Sequence, residues 1–434
     1  MESLPDKAYH DSAGREQRRD KLYDLALVNA AELVTCNGSG KAEEDRLGVI
    51  RDGAFVVDDG RVVWVGTTKE LSRKAFGKAR RTIDARDNLV TPGFVDPHTH
   101  LVFAGSREDE LERKVRGESY TSILASGGGI LRTMRDTRRA SAARIAQESM
   151  ERLTQLVKNG VTTIEIKTGY GQRLADEMKL LDVISRLSRM SGVELVPTFL
   201  GLHATPSEFK SSKEYVDYAI REMLPAVARA KARPIFSDCF CEEGVFSRDE
   251  CSKYLRASRE LGLACKIHAD EFSESGGASL AAEARCVSAD HLGKSDPSGI
   301  QAMASRGVTA VLLPGTSLIS GIGYANAPEI LAAGCSVALG TDLSPNSWVE
   351  SPQFVMSLAC GGMRMTPAQS LLGFTRNAAQ AIARDDLGFL GIGSAGDFVI
   401  HSLPGYRFLP YRVGGQYVQK VFRGGREVFS SMEG

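Results

Sequence analysis

His98 and His100 close the run Phe94-Val95-Asp96-Pro97-His98-Thr99-His100 and stand two residues apart. On an extended chain that spacing sends both imidazoles to one face, where two neutral nitrogens can share a metal ion. His268 follows the apolar run 263–267 and offers a third nitrogen, and Asp342 follows the run 335–340 and offers a carboxylate oxygen. Three imidazoles and one carboxylate suit Zn²⁺, and divalent iron accepts the same mixture. Two further groups are suited to moving protons. Glu271, three residues beyond His268, can turn over the metal and carry a proton between water and a leaving nitrogen. His291, preceded by Asp290 after the run 286–289, fits a base or an orienter of the water, a task Asp342 can share. Each residue also has an ordinary use: a turn cap for Asp342, a surface carboxylate for Glu271, a hydrogen-bonded structural group for a lone histidine. Lys167 stands where a carbamylated lysine could bridge two metals, but the four donors complete a one-ion set. It is expected as an ion-pair partner or a contact near Tyr170.

Such chemistry needs strand ends that converge. Candidate strands cover 90–96, 161–166, 193–199, 234–238, 263–268, 286–289, 308–313 and 335–340, and the ligands sit at their C-terminal ends. Helical patterns intervene at 141–158, 174–190, 213–230, 275–284 and 297–305, and Thr366-Pro367-Ala368-Gln369 reads as a helix cap. Eight strand-helix units predict an α/β fold, a closed (β/α)8 TIM-like barrel over 91–394, with an open doubly wound sheet as the alternative. Residues 22–90 instead alternate as short strands at 25–36, 53–58, 61–66 and 81–84, with Asp58-Asp59-Gly60-Arg61 as a hairpin turn. The pattern returns over 395–434, at 396–400, 417–423 and 427–429, so both ends are expected to build one small β-sandwich domain. Residues 1–21 read as a loose tail.

Composition narrows the partners. Lysine plus arginine equal aspartate plus glutamate at 54 each, which gives no electrostatic reason to expect nucleic acid or an acidic membrane. No apolar stretch approaches the length of a membrane span. The eight cysteines form no compact disulfide framework, and Cys239-Phe240-Cys241 lacks a second pair to complete a thiolate zinc site, so a reducing, cytoplasmic setting is expected.

Longer motifs narrow the chemistry: PGFVDPHTHLVFAGSRE (92–108), SGGGI (126–130), EIKTGYG (165–171), FCEEGVFS (240–247), HADEF (268–272), SADHL (288–292), LLPGTS (312–317) and MSLAC (356–360). Together they resemble the imidazolonepropionase family of the amidohydrolase superfamily over nearly all of 22–430. The resemblance implies a distorted (β/α)8 barrel holding one zinc or iron ion on His98, His100, His268 and Asp342. It implies hydrolysis of 4-imidazolone-5-propanoate to N-formimino-L-glutamate in histidine degradation, proton transfer by Glu271 and His291, and a homodimer. It places substrate contacts at Arg107, Tyr120, Tyr170 and His203. Arg107 could meet the propionate with its planar fork of donors. Tyr170 would reach the carboxylate or ring from a mobile, glycine-flanked position, and His203 would bond the ring carbonyl or the substrate tail. One stretch departs from the family. Where Asp-Phe-Asn-Pro is usual, this chain has Asp342-Leu343-Ser344-Pro345-Asn346-Ser347, so an amide is replaced by a shorter hydroxyl, for which Asn346 is placed to compensate. The alternative activity is a deaminase or cyclic amidohydrolase acting on a related small nitrogen heterocycle.

Overall fold

A computed structural model describes residues 21–40, 42–73, 78–118, 122–123 and 126–431. The expected tail, except Lys21, and Tyr120 lie outside the described residues. The N-terminal part forms β1 (Tyr23–Val34), β2 (Val49–Asp58), β3 (Arg61–Thr67), β4 (Ala79–Asp84) and β5 (Leu89–Pro92). The hairpin between β2 and β3 turns through Asp59 and Gly60, both at positive φ, as a tight two-residue connection requires. Eight parallel strands follow in chain order: β6 (Phe94–Asp96), β7 (Val161–Lys167), β8 (Glu194–Leu202), β9 (Phe236–Cys241), β10 (Ala264–Ala269), β11 (Ser288–His291), β12 (Thr309–Leu312) and β13 (Val337–Leu339). Each pairs with its sequence neighbour. Beyond β13, Leu343 bridges to Thr99, with Asp342 N–H on the His98 carbonyl at 3.1 Å and His100 N–H on the Leu343 carbonyl at 2.9 Å. The first and last strands therefore meet at the C-terminal rim, and the fold is a nearly closed barrel rather than an open doubly wound sheet.

The chain then returns to the first sheet as β14 (Phe398–His401), β15 (Val418–Arg423) and β16 (Arg426–Ser430). The sheet order is β16-β15-β14-β5-β1-β2-β3, with β4 on β1. Phe55 on β2 and Phe398 on β14 lie three strand spacings apart along it, about 14 Å on a flat sheet. Their rings nevertheless meet at 5.0 Å. The sheet folds over a shared core of Leu25, Leu27, Phe55, Phe398 and Phe422, which gives sandwich-like packing from one hydrogen-bonded sheet.

Two expected elements differ. The run 90–96 is not one strand: it splits at Gly93, whose N–H reaches Asp397 while the next N–H, from Phe94, reaches Gly160 in the barrel. A Cβ at 93 would strike the Thr162 side chain, so only glycine fits the crossing. The helix expected over 213–230 is broken into Ser212–Tyr218, a π turn at Ala219–Met223 and Leu224–Ala228. Pro225 has no N–H to continue the ladder, and the wider turn absorbs it. The Thr366 cap forms as a full capping box with Gln369.

Alternation along the barrel strands explains how a polar site sits in an apolar protein. On β7, Ile164 and Ile166 pack outward among the helices, while Thr163, Glu165 and Lys167 alternate with them and are fully buried. On β10, Cys265, Ile267 and Ala269 face the outer core and alternate with Lys266 and His268. Among the described residues no helix is long and apolar enough to cross a membrane.

Candidate active site

Pro97 ends β6 because it offers no N–H, and His98 and His100 follow in the segment that closes the barrel. Their rings converge with those of His268, at the end of β10, and His291, at the end of β11. The Nε2 atoms of His100 and His268 are 3.3 Å apart, and Asp342 Oδ1 lies 3.5 Å from His98 Nε2 and 3.6 Å from His100 Nε2. Four donors about 2.0–2.1 Å from a tetrahedral zinc ion lie about 3.3–3.4 Å from one another. These three separations thus match edges of a coordination shell, and His98, His100 and Asp342 form one metal-spaced group while His98, His268 and His291 form another. Among the described residues His98 Nε2 is buried with no hydrogen-bond partner, as expected of a nitrogen whose partner is a cation. A nitrogen of His291 also lies within 4.8 Å of those of His98 and His268.

Hydrogen bonds behind the candidate ligands fix which nitrogen faces the centre. His98 Nδ1 meets Asp290 Oδ2 at 2.6 Å, and His268 Nδ1 meets Asp238 at 3.2 Å, so each Nδ1–H donates outward and leaves Nε2 as the inward donor atom. Thr316 gives its hydroxyl proton to Asp342 Oδ2 at 2.5 Å, which leaves Oδ1 for the centre. Lys167 Nζ lies 2.8 Å from Asp238, 2.9 Å from Glu165 and 3.5 Å from Asp290. Burial alone would lower its pKa, but these three carboxylates raise it above the ordinary lysine value. It is an ion-pair hub, and carbamylation would add a fourth negative group among three.

Burial shapes the remaining ionisations. Desolvation, followed by the nearby Asp342 and Glu242 charges, pushes Glu271 well above the usual carboxyl range. His291 is pushed well below the usual imidazole value, first by desolvation and then by His268. Glu271 Oε2 and His291 Nε2 are 3.6 Å apart. Asp342, His291 and Asp270 hold positive φ angles of 49°, 78° and 53° at the rim, where side chains must turn inward.

A cavity of about 230 Å³ opens onto this centre. His100, His268, Glu271, His291 and Asp342 line it together with Arg107, Tyr170, His203, Ser344 and Asn346. Arg107 is 8% exposed, and among the described residues its Nε has no hydrogen-bond partner. Its neighbour Glu110 lies 4.0 Å away and accepts the Gly129 N–H at 2.7 Å, which draws the SGGGI segment against the arginine. His203 Nδ1 bonds the Gly169 carbonyl at 3.1 Å, and burial lowers its pKa to about 3. The neutral ring therefore carries its proton on Nδ1, and Nε2 is an acceptor, suited to a ring N–H rather than to the carbonyl or carboxylate expected from sequence. Tyr170 is also not mobile: Glu177 accepts the N–H groups of Gly169, Gly171 and Gln172 at 2.7–3.0 Å and pins the loop. The Ser344 hydroxyl oxygen accepts the Ser347 N–H at 3.1 Å, inside its own turn. The amide lining the cavity is that of Asn346, held by Lys114 at 2.8 Å and Ser320 at 3.2 Å.

Residues 89–428 match the model of the Amidohydrolase family. Similar solved structures include an adenosine deaminase from Xanthomonas campestris with bound zinc, at TM-score 0.72 and 16% identity over 94% of this chain and 93% of that one. An atrazine chlorohydrolase from Arthrobacter aurescens TC1 complexed with zinc has TM-score 0.73 and 18% identity over 93% of this chain and 94% of that one. At such identities they show the fold alone. Curated relatives are nearer. Imidazolonepropionase of Parabacteroides distasonis is 43% identical over 92% of this chain and 98% of its own length. That of Symbiobacterium thermophilum is 44% identical over 93% and 96%, and that of Halobacterium salinarum 44% over 93% and 97%. The chain belongs to the imidazolonepropionase family.

For a member of the imidazolonepropionase family, nearly every residue singled out from sequence shares one cavity or its floor; Tyr120 is the exception, lying outside the described residues. Sequence reasoning missed the groups behind that floor. Asp238 closes the run 234–238 expected as a strand, although β9 itself continues to Cys241, so the run-end rule that selected the candidate ligands would have found it. Thr316 lies in the quoted LLPGTS motif but was given no role. Glu242, in FCEEGVFS, accepts the N–H groups of Glu271 and Phe272 at 2.9 and 3.0 Å, and so anchors the loop that carries Glu271.

Proposed function

We propose that the chain hydrolyses the ring amide of 4-imidazolone-5-propanoate to N-formimino-L-glutamate, the activity named for its curated relatives and one belonging to histidine degradation. The observation that carries this reading is the joining, in one cavity, of a metal-spaced donor set, a buried carboxyl 3.6 Å from His291 and a buried arginine. One divalent ion per chain, zinc or iron, would rest on His98, His100, His268 and Asp342. When bound, it supplies Lewis acidity that polarises the ring carbonyl and activates water at neutral pH.

The chain's own residues do the rest. Arg107 takes the propionate through its guanidinium fork, and the Tyr170 hydroxyl closes on the same end. His203 Nε2 accepts a ring N–H and so sets the ring's rotation in the cavity. His291 and Asp342 orient the attacking water. Glu271 takes a proton from that water and delivers it to the ring nitrogen as the carbonyl C–N bond breaks. Atoms balance: water adds oxygen to the carbonyl carbon, its proton reaches the departing nitrogen, and the formimino group remains on the product. Asn346 replaces the amide that Ser344 lacks. The eight free thiols suit a reducing cytoplasm, and the family resemblance supports a homodimer.

Purified, metal-loaded protein given imidazolonepropanoate tests the reading. Loss of ring absorbance with formation of formiminoglutamate is expected, without release of ammonia. Stoichiometric ammonia from a nitrogen heterocycle, with the imidazolone left untouched, would establish the deaminase alternative.

A further inference from the structure

Substrate recognition in this site depends on a loop whose own supports lie outside the cavity. The helix Leu174–Met190 begins just after that loop, and Glu177 in its first turn is fully buried. One carboxylate oxygen accepts the Gly169 N–H at 3.0 Å, and the other accepts those of Gly171 and Gln172, both at 2.7 Å. The loop's carbonyls are held as well. Gly169 O receives Gln172 Nε2 at 3.0 Å and His203 Nδ1 at 3.1 Å, and Gly171 O receives Arg138 Nε at 2.7 Å.

Gly169 thus presents its N–H to Glu177 and its carbonyl to His203, while Tyr170, the next residue, lines the cavity 3% exposed. Gly169 sits at φ +108°, which side-chain-bearing residues rarely adopt, and a Cβ on Gly171 would lie 2.7 Å from the Glu177 nitrogen. The Tyr170 and His203 rings lie 5.1 Å apart. A shift of the loop therefore moves both substrate contacts together.

We propose that Glu177 is a positioning residue for substrate recognition, fixing Tyr170 and His203 jointly from behind the loop 168–172. It touches neither the metal donors nor the reacting atoms, so its effect falls on binding of the carboxylated ring rather than on bond breaking. This rests on the hydrolase reading above for the identity of the substrate. In Glu177→Gln an amide N–H₂ must face at least one backbone N–H, a donor opposed to a donor, in a side chain of the same shape.

The probe is imidazole-4-propanoate, a carboxylated ring that is not hydrolysed, with binding measured by calorimetry on the metal-loaded enzyme beside KM and kcat for the imidazolone. E177Q is expected to weaken probe binding and raise KM by about tenfold or more, with kcat within about threefold and metal content unchanged. In a Tyr170→Phe/His203→Gln background the same substitution should cost less than about twofold, because the contacts it positions are gone. Gln172→Met, which removes the Nε2 bond to the Gly169 carbonyl, should copy the pattern, and decides the matter if E177Q does not fold. Unchanged probe binding, equal losses in kcat and binding, or a full E177Q effect in the double-variant background would overturn the proposal. A parent protein that binds the probe but leaves imidazolonepropanoate intact would instead reject the hydrolase reading, and the binding comparison would still judge Glu177.

Discussion

Asp290→Asn asks whether the carboxylates behind the imidazoles hold the metal site together. Asp290 Oδ2 lies 2.6 Å from His98 Nδ1, and Oδ1 accepts the Ser288 hydroxyl at 2.6 Å. Desolvation would raise its pKa, but Lys266 and Lys167 outweigh that and hold it below the ordinary carboxyl value, so the native group is charged. Asparagine keeps the shape and one acceptor but loses that charge. His98 Nε2 then becomes less basic, and a turned amide would point N–H₂ at Nδ1 and favour the wrong tautomer. Losing such a partner costs a metal site about 10–100-fold in affinity, equivalent to about 1.4–2.8 kcal/mol. Asp238→Asn acts on His268 through a longer contact of 3.2 Å and is expected toward the lower end of the same range. Titrating each apo-protein with zinc against a chromophoric chelator at neutral pH measures both. Zinc affinity equal to the parent's in a folded Asp290→Asn protein would refute the argument, and a larger loss for Asp238→Asn would refute the ranking by contact length.

Glu271→Gln should keep metal and fold while kcat falls by about 100-fold or more, since the amide matches the shape but cannot carry a proton; metal-loaded E271Q turning over near the parent rate would remove it from the relay. Arg107→Met should raise KM for the propionate-bearing ring and leave an analogue without the carboxylate nearly unaffected, as steady-state kinetics on the pair will show. Stability should also fall in mild acid because of His401, which burial holds at a pKa of about 3 against about 6.5 in an unfolded chain. Between those values the unfolded state binds the extra proton, so stability is lost as pH falls through that window, by about 2 kcal/mol between neutrality and pH 5. Denaturant titrations of parent and His401→Gln at both pH values should show that loss shrinking in the variant; equal losses would assign the acid sensitivity elsewhere.

The convergence of the candidate ligands was legible because two rules act on single residues: a two-residue spacing puts His98 and His100 on one side of an extended chain, and strand ends of a parallel barrel share one rim. Helix 174–190 and the Thr366 capping box were legible because periodicity and caps are local. The crossing at Gly93 was hidden, since 90–92 and 94–96 are alike apolar and extended, and nothing in their pattern says which sheet receives each half. Lys167, Asp238 and Asp290 become a network only when the alternate strands β7, β9 and β11 bring their side chains together inside the barrel, so the register across five neighbouring strands carries the information. Tyr170 looked mobile because glycines flank it, whereas its restraint comes from Glu177 in the following helix. The inward turns of Asp342 and His291 depend on positive φ values that no residue type announced.

The place of β14 between β15 and β5 also imposes a timetable on synthesis. β5 ends at Pro92 and its antiparallel partner begins at Phe398, about 300 residues later. At ribosomal rates of about 5–20 residues per second, that partner emerges about 15–60 s after the strand it must cover. Through that interval the growing chain carries an apolar strand with an open edge, a template for pairing with other chains. The same Gly93 junction that ties the outer sheet to the segment carrying His98 and His100 makes strands translated before the barrel among the last to be completed.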